Sequence, residues 1–372
     1  MRHSRKLFKV AALGSAVLLG TAAVHQSWKY MSSSLRQEQL FALPMMIQAE
    51  EPVKNIPQTG VVTGNYPQMA IITIKFKEEA LKKQTGQLLK AIANVPQIVQ
   101  DVTGDEKRDE EDEFSLPPVM ASVGVSTRFW KQLNQSDSSL FQLPEGYSAD
   151  YETKTGEFGS MPFQETELVL HVKAKNASKC YEAINLFVDS LPKGSVETVN
   201  EHYGFQYQDS RDLSKFIDGI NNPSGFDDRT QAALNSKGGS FMLHQKWAHH
   251  HNLDSIYTVR QQEEFVGRER PFGAELSKLP PHSHVARMRK PNNDIIPIVR
   301  QSFPYGTVTG EHGLLFIAYS SNTEKYEELL NAMVGKANGT HNDAIMKFSK
   351  CLYTNYYYVP SVDELQQLKK KY

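Results

Sequence analysis

The chain has 372 residues, 40% of them hydrophobic and 22% charged, and its 41 Lys+Arg against 42 Asp+Glu leave a formal net charge of −1. That length accommodates two domains and a buried cavity, the composition is that of a globular chain, and the balanced charge removes generic attraction to a polyanion, so no nucleic acid partner is expected. The two cysteines, Cys180 and Cys351, stand in no CxxC or CxxCH pattern, which excludes covalent c-type haem and four-thiolate iron–sulfur or zinc sites; both read as plain core or surface thiols.

At the N-terminus, Arg2, Arg5, Lys6 and Lys9 precede the uncharged apolar run Val10–Val24, which closes on the small residues Thr21, Ala22 and Ala23. Basic, apolar and small residues in that order describe a secretory signal, and the run is shorter than the roughly 20 residues that span a bilayer comfortably. Residues 1–30 are therefore expected to be a signal or anchor segment. Export to the periplasm or outside, or anchoring through residues 10–24, is the expected localisation, with an organelle presequence or a cytoplasmic chain as alternatives. Membrane association is expected only through this segment. Residues 31–66, polar with several Pro, Gln and Gly, read as a linker.

The run Met69–Phe76 alternates strand-forming residues, and Glu79–Ala93 has apolar positions at helical spacing. Asp101–Glu113 concentrates charge and reads as a solvated loop. Ser122–Ser126 predicts a strand, Thr127–Leu133 the start of a helix, Glu167–Lys173 a strand, Cys180–Leu191 a helix and Val196–Phe205 another strand. This β-α-β-β-α-β order predicts an α+β ferredoxin-like domain over 67–205 with antiparallel pairing. A second round follows over 206–366, with strands at Gly239–Trp247, Ile296–Arg300 and Gly313–Ser320 and helices at Glu324–Val334 and Asp343–Lys350. The fold class expected is α+β with duplicated ferredoxin-like domains, antiparallel sheets and helices.

Four segments of the second half carry chemistry-bearing residues in tight local settings. In Arg211–Pro223, Asp218-Gly219 followed by Asn222-Pro223 forces a non-repetitive backbone and displays a carboxylate on a rigid loop. Pro281-His-Ser-His-Val-Ala-Arg287 holds two histidines whose spacing alone decides little between ligand and surface residue. Ile298–Gly306 places Arg300 on a strand before a Pro-Tyr-Gly turn, and Asp343 opens the last expected helix.

These segments, in this order, resemble the B-type dye-decolourising peroxidases over 205–360, with a less specific match over 161–205. Lys215-Phe-Ile-Asp-Gly219 resembles the family's GxxDG motif, with Lys215 in place of the first Gly while Phe216, Asp218, Gly219, Asn222 and Pro223 keep the rest. The resemblance implies haem b, non-covalently held in the C-terminal domain, with His284 of Ser283-His-Val-Ala-Arg287 as iron ligand. Asp218 is implied as the distal acid–base residue, Arg300 as its cationic companion, and Arg287, Asn222, Asp343 and Arg300 as further cofactor-binding residues. Ser302 stands where some members carry Asn. Asp343 has two readings, a helix cap and a partner for the proximal imidazole.

The implied activity is reduction of hydrogen peroxide and oxidation of dye-like or phenolic donors by way of a ferryl intermediate, in a homo-oligomer; the alternative is a haem- or iron-handling protein with weak peroxidase activity. Arg300 is expected to keep Asp218 ionised by lowering its pKa. Trp247, Tyr353, Tyr356, Tyr357 and Tyr358 are candidates for donor oxidation at the surface, set against simple aromatic packing. His249-His250-His251 reads as a solvated loop rather than a metal site.

Overall fold

The computed structural model describes residues 55–64, 66–104, 117–337 and 341–372; the expected signal segment, and most of the expected linker and acidic loop, lie outside them. Among the described residues no helix is long and apolar enough to cross a membrane.

Eleven strands are present: β1 (Gln68–Phe76), β2 (Val119–Ser126), β3 (Lys154–Gly156), β4 (Gly159–Met161), β5 (Leu168–Ala174), β6 (Val196–Phe205), β7 (Ser240–His249), β8 (Val299–Arg300), β9 (Phe303–Gly306), β10 (His312–Ser320) and β11 (Ser349–Val359). In the first half the spatial order is β2-β5-β1-β6, and in the second β11-β7-β10 with β8 and β9 together along the far edge of β10. Numbering the strands of each half from one, both orders read 4-1-3-2 from one side, and every pairing in this large sheet is antiparallel. The ferredoxin-like duplication expected from element order is thus present, with helices Val95–Thr103 and Ala177–Ser190 on the first half and Glu324–Met333 on the second.

The halves also join. β11 pairs with β2 at Tyr357↔Ser126 and Tyr358↔Val125, and β6 meets β9 at Gly204↔Tyr305. The sheet therefore closes on itself, and one apolar cluster, with Met69 and Ile71 of β1, Val169 of β5, Met242 of β7, Ile317 of β10 and Tyr357 of β11, fills the enclosed space. Burying each such side chain contributes about 1.5–3 kcal/mol. The change of repeat falls between β6 and β7, while the packing is shared across it.

Several boundaries differ from the sequence reading for identifiable reasons. The end of the expected 31–66 linker belongs to the fold: Val61 and Val62 are buried in the shared core, and the Gln58 amide donates to the carbonyls of Val123 and Pro360. Glu79–Ala93 is two helices, Glu78–Lys83 and Thr85–Ala93. Ile296–Arg300 shortens to Val299–Arg300, consistent with Pro297 lacking an N–H for the ladder. Asp343–Lys350 is no helix: Asp343 caps a single 3-10 turn, Ala344–Lys347, and Ser349 begins β11, whose β-branched and aromatic residues suit a strand flanked on both edges.

Candidate active site

Strand alternation gives β7 two functions. Leu243, Gln245, Trp247 and His249 line a cavity, as do Leu314 and Phe316 of β10, while Met242, Leu315 and Ile317 point into the closed sheet. The cavity's far wall is the helix Glu324–Met333, through Leu329, Leu330 and Met333, and its sides are the loops carrying Asp218, His284 and Arg300. The three side chains singled out in separate sequence segments therefore face one space.

His284 is the first residue of a one-turn helix, His284–Arg287, whose N-cap Ser283 accepts from Ala286 N–H. His282 lies in the turn before the extended N-cap Ser283, and of the two histidines only His284 lines the cavity. Ala344 N–H donates to the His282 carbonyl at 2.9 Å, and this tie sets Asp343 beside the imidazole. His284 Nδ1 lies 2.7 Å from Asp343 Oδ2, and Asp343 Oδ1 accepts Ile345 N–H at 3.0 Å. Asp343 makes the imidazole contact and the cap contact at once, one with each oxygen. With Nδ1–H donated to the carboxylate, Nε2 keeps its lone pair for a metal.

The distal loop is cross-braced. Asp212 N–H donates to the Phe216 carbonyl and Asp218 N–H to that of Ser210, and Gly219 N–H reaches Asp218 Oδ1 at 2.6 Å. Asn222 locks this loop to β8 reciprocally: its amide donates to the Arg300 carbonyl and accepts Arg300 N–H, both at 2.8 Å. Asn222 thereby sets Arg300's position and does not itself line the cavity. Arg287 is likewise absent from the wall; it is buried behind His284, near enough to Asp343 to feel its charge. Each of these two expected cofactor-binding residues supports a residue of the site, Asn222 through Arg300 and Arg287 beside Asp343.

Burial pushes the Asp218 carboxyl above the ordinary carboxylate range; Arg300 pulls it down, Asp212 pushes it up, and burial prevails. Arg300 acts in the expected direction and limits a rise that desolvation imposes, so the carboxyl is held above its ordinary value although both groups line the same cavity.

A profile described as "Dyp-type peroxidase, C-terminal" matches residues 209–364, the span holding all of these groups. A dye-decolorizing peroxidase of Rhodococcus erythropolis is 27% identical over 265 residues, 68% of this chain and 75% of that protein. One from Mycobacterium tuberculosis is 31% identical over 222 residues, 57% of this chain and 66% of the relative. The dye-decolorizing protein of Vibrio cholerae has a solved structure of TM-score 0.72 and 27% identity, covering 83% of this chain and 99% of that one. Residues 209–364 carry the C-terminal domain of the dye-decolourising peroxidase family. The fold alone is also shared with a DypB variant of Rhodococcus jostii described "in complex with heme", 24% identical with TM-score 0.73 over 85% of this chain and all of that one.

Against the dye-decolourising peroxidase motif, Lys215 is the informative departure. Its φ is +74°, in the left-handed region where glycine is unstrained and other residues are not. A lysine thus holds a left-handed backbone that the motif's glycine would adopt without strain. Lys215 N–H donates to the Asp212 carbonyl, its own carbonyl accepts from Arg211, and its ammonium pairs with Asp254.

The aromatic candidates resolve in favour of packing. Tyr356, Tyr357 and Tyr358 are buried in β11, Tyr353 is 8% exposed and Trp247 6%, so none is a surface oxidation site; Trp247 instead faces the cavity, with its Nε1–H on Gln245. Both cysteines are free and buried. The His249–His251 run divides: His250 and His251 are exposed, whereas His249 lines the cavity. Sequence reasoning missed His249, together with its partner Asp212. Extending the alternation Leu243, Gln245, Trp247 by one step would have put His249 on the cavity side.

Proposed function

We propose that this enzyme is a B-type dye-decolourising peroxidase that binds haem b non-covalently in the cavity, with His284 as the proximal iron ligand, reduces hydrogen peroxide and oxidises an organic donor. The observation that carries the reading is the His284–Asp343 hydrogen bond at 2.7 Å, on a histidine facing the same cavity as Asp218 and Arg300. The wall suits the cofactor: Val266, Val285, Met288, Ile296 and Phe348 offer apolar contact for a macrocycle, and Arg268 and Arg289 bring positive charge for its carboxylates. Bound there, haem supplies the redox chemistry that cleaves the peroxide O–O bond.

The chain's own residues manage protons and charge. Asp218, when ionised, takes the proton from one peroxide oxygen on a carboxylate oxygen and delivers it to the other, which leaves as water. Arg300, held by Asn222, keeps Asp218 ionised over more of the pH range than burial alone would allow and offsets negative charge on the departing oxygen. Asp343 accepts the imidazole Nδ1–H, fixes the ring's orientation and makes Nε2 more electron-donating.

An absorption spectrum before and after one equivalent of peroxide tests the reading. The purified protein should show a Soret band that shifts on peroxide addition and returns with an organic donor over many cycles; a chain that takes up no haem refutes it, and one that binds haem without turnover would be a haem-handling protein. The domain boundary at 205/206, homo-oligomer formation, and export or anchoring through residues 1–30 complete the proposal.

A further inference from the structure

A second acid stands on the cavity wall. Asp212 lies on the same loop as Asp218, and the turn closed by Lys215 N–H on the Asp212 carbonyl brings both carboxylates to the one space. Its carboxylate accepts the N–H of Ser214 at 3.1 Å, the Ser214 hydroxyl, and Nε2 of His249 at 3.0 Å. His249 Nδ1 lies 2.8 Å from Ser349 Oγ. Asp212, Ser214, His249 and Ser349 all line the cavity, and the mechanism above uses none of them.

The pair also reaches outward. The His249 ring packs edge-on against Phe348 and His312, with centroids 6.2 and 6.5 Å away, and His312 lies 4.3 Å from His251, which is exposed. Imidazoles thus extend from the cavity wall to solvent, and solution pH has a route to His249.

We propose that Asp212 and His249 act as one positioning unit for Asp218, the negative charge of Asp212 favouring the proton on Asp218 and His249 switching that influence by gaining or losing its own proton. The proposal rests on the reading of Asp218 as the distal proton carrier. With a neutral imidazole the pair carries −1, and with a protonated one it is neutral, so Asp218 faces a net like charge in one state only. Burial would raise Asp212, yet His249 and the two donors of Ser214 hold it at about 2, ionised throughout the working range.

The other charged group acting on Asp218 is Arg300 on β8, which opposes Asp212, and Gly219 N–H acts in the same sense as Arg300. Arg268 and Arg289 stand elsewhere on the wall. Arg300 and Asp212 therefore form opposed influences on one carboxyl, and only Asp212 is hydrogen-bonded to an imidazole.

The experiment is an infrared titration of the ferric, haem-loaded full chain, following the carbonyl stretch of protonated Asp218, assigned by its disappearance in Asp218→Asn. Asp212→Asn should lower the titration midpoint, the direction opposite to Arg300→Leu, and speed the peroxide reaction several-fold below the parent midpoint. His249→Gln, which keeps a donor to Asp212 but carries no charge, should raise the midpoint. In the Asp212→Asn background the same His249→Gln change should have no effect, because its influence runs through Asp212.

An unmoved or raised midpoint in Asp212→Asn overturns the proposal, as does a His249→Gln shift of equal size in both backgrounds. If Asp218→Asn leaves the carbonyl signal and the acidic limb of the rate in place, the reading of Asp218 itself fails and the coupling falls with it. Soret intensity in each variant reports that the cavity has kept its shape.

Discussion

Asp343 stands with its Oδ2 2.7 Å from Nδ1 of His284 and its Oδ1 3.0 Å from Ile345 N–H, and the whole residue has no solvent exposure. One carboxylate satisfies two donors: the ring of the proposed ligand and the first orphan amide of the 3-10 turn that leads into β11. The ring's orientation is thereby tied to the backbone of the strand that forms the sheet beside the cavity.

Asp343→Asn should weaken haem binding by about 10–100-fold, because an amide has one acceptor oxygen where two donors need partners. Haem transfer to an excess of a scavenging apoprotein measures this. His284→Ala should lose haem altogether, and full occupancy with an unchanged ferric spectrum in that variant would assign the ligand elsewhere.

Arg300 and Asp218 are separated by pH rather than by size of effect. Removing either should slow the peroxide reaction, by on the order of 10²–10³-fold for Arg300→Leu and 10²–10⁴-fold for Asp218→Asn. The reaction needs ionised Asp218, so its rate falls as pH drops through the pKa of that group. Arg300 lowers that pKa; without it the acidic limb moves to higher pH, whereas Asp218→Asn abolishes the limb. Stopped-flow rates across pH that retain the limb in Asp218→Asn would show that the loop matters for shape alone.

Asp218→Asn should also stabilise the fold at neutral pH. A carboxyl whose pKa is raised on folding holds its proton more tightly in the folded state, so its contribution to stability falls as pH rises through its unfolded and then its folded value. A neutral amide escapes that loss. Urea unfolding of the haem-free chain at neutral pH should show a higher midpoint for the variant, and a lower one would contradict the assigned cause of the shift.

Lys215→Gly and Lys215→Ala both remove the ion pair to Asp254, and they differ in the left-handed backbone that only glycine adopts without strain. Lys215→Gly should be the more stable of the two by about 1 kcal/mol. Equal unfolding midpoints would mean that the loop relaxes when the side chain is shortened.

Much of the site was legible because Asp218, His284, Arg300 and Asp343 sit in short segments whose neighbours, Gly219, Pro223, Ser283 and the Pro304-Tyr305-Gly306 turn, constrain the backbone locally. What escaped the sequence depended on distant partners. Asn222 is recognisable as a clamp only once β8 lies beside it, and burial of Asp218 outweighs Arg300 only in the assembled cavity. His249 is hidden by its company, since His250 and His251 give the run a solvent-facing character, and Asp343–Lys350 reads as a helix because Asp343 is a good cap, which hides the start of β11 at Ser349.

Closure of the sheet determines when the catalytic chamber can exist during biosynthesis. β7, which carries one wall, is flanked by β10 and by β11, the last strand of the chain, and β11 in turn pairs with β2 near the beginning. Contacts of such wide sequence separation form late. A nascent chain lacking its final thirty or so residues would present an unpaired β7 edge, and residues 209–364 made alone would expose the face that β1 and β5 otherwise cover. Haem insertion is therefore a step that follows the pairing of β11 with β7 and β2, and truncation before β11 should leave an aggregating, colourless product rather than a weakened enzyme.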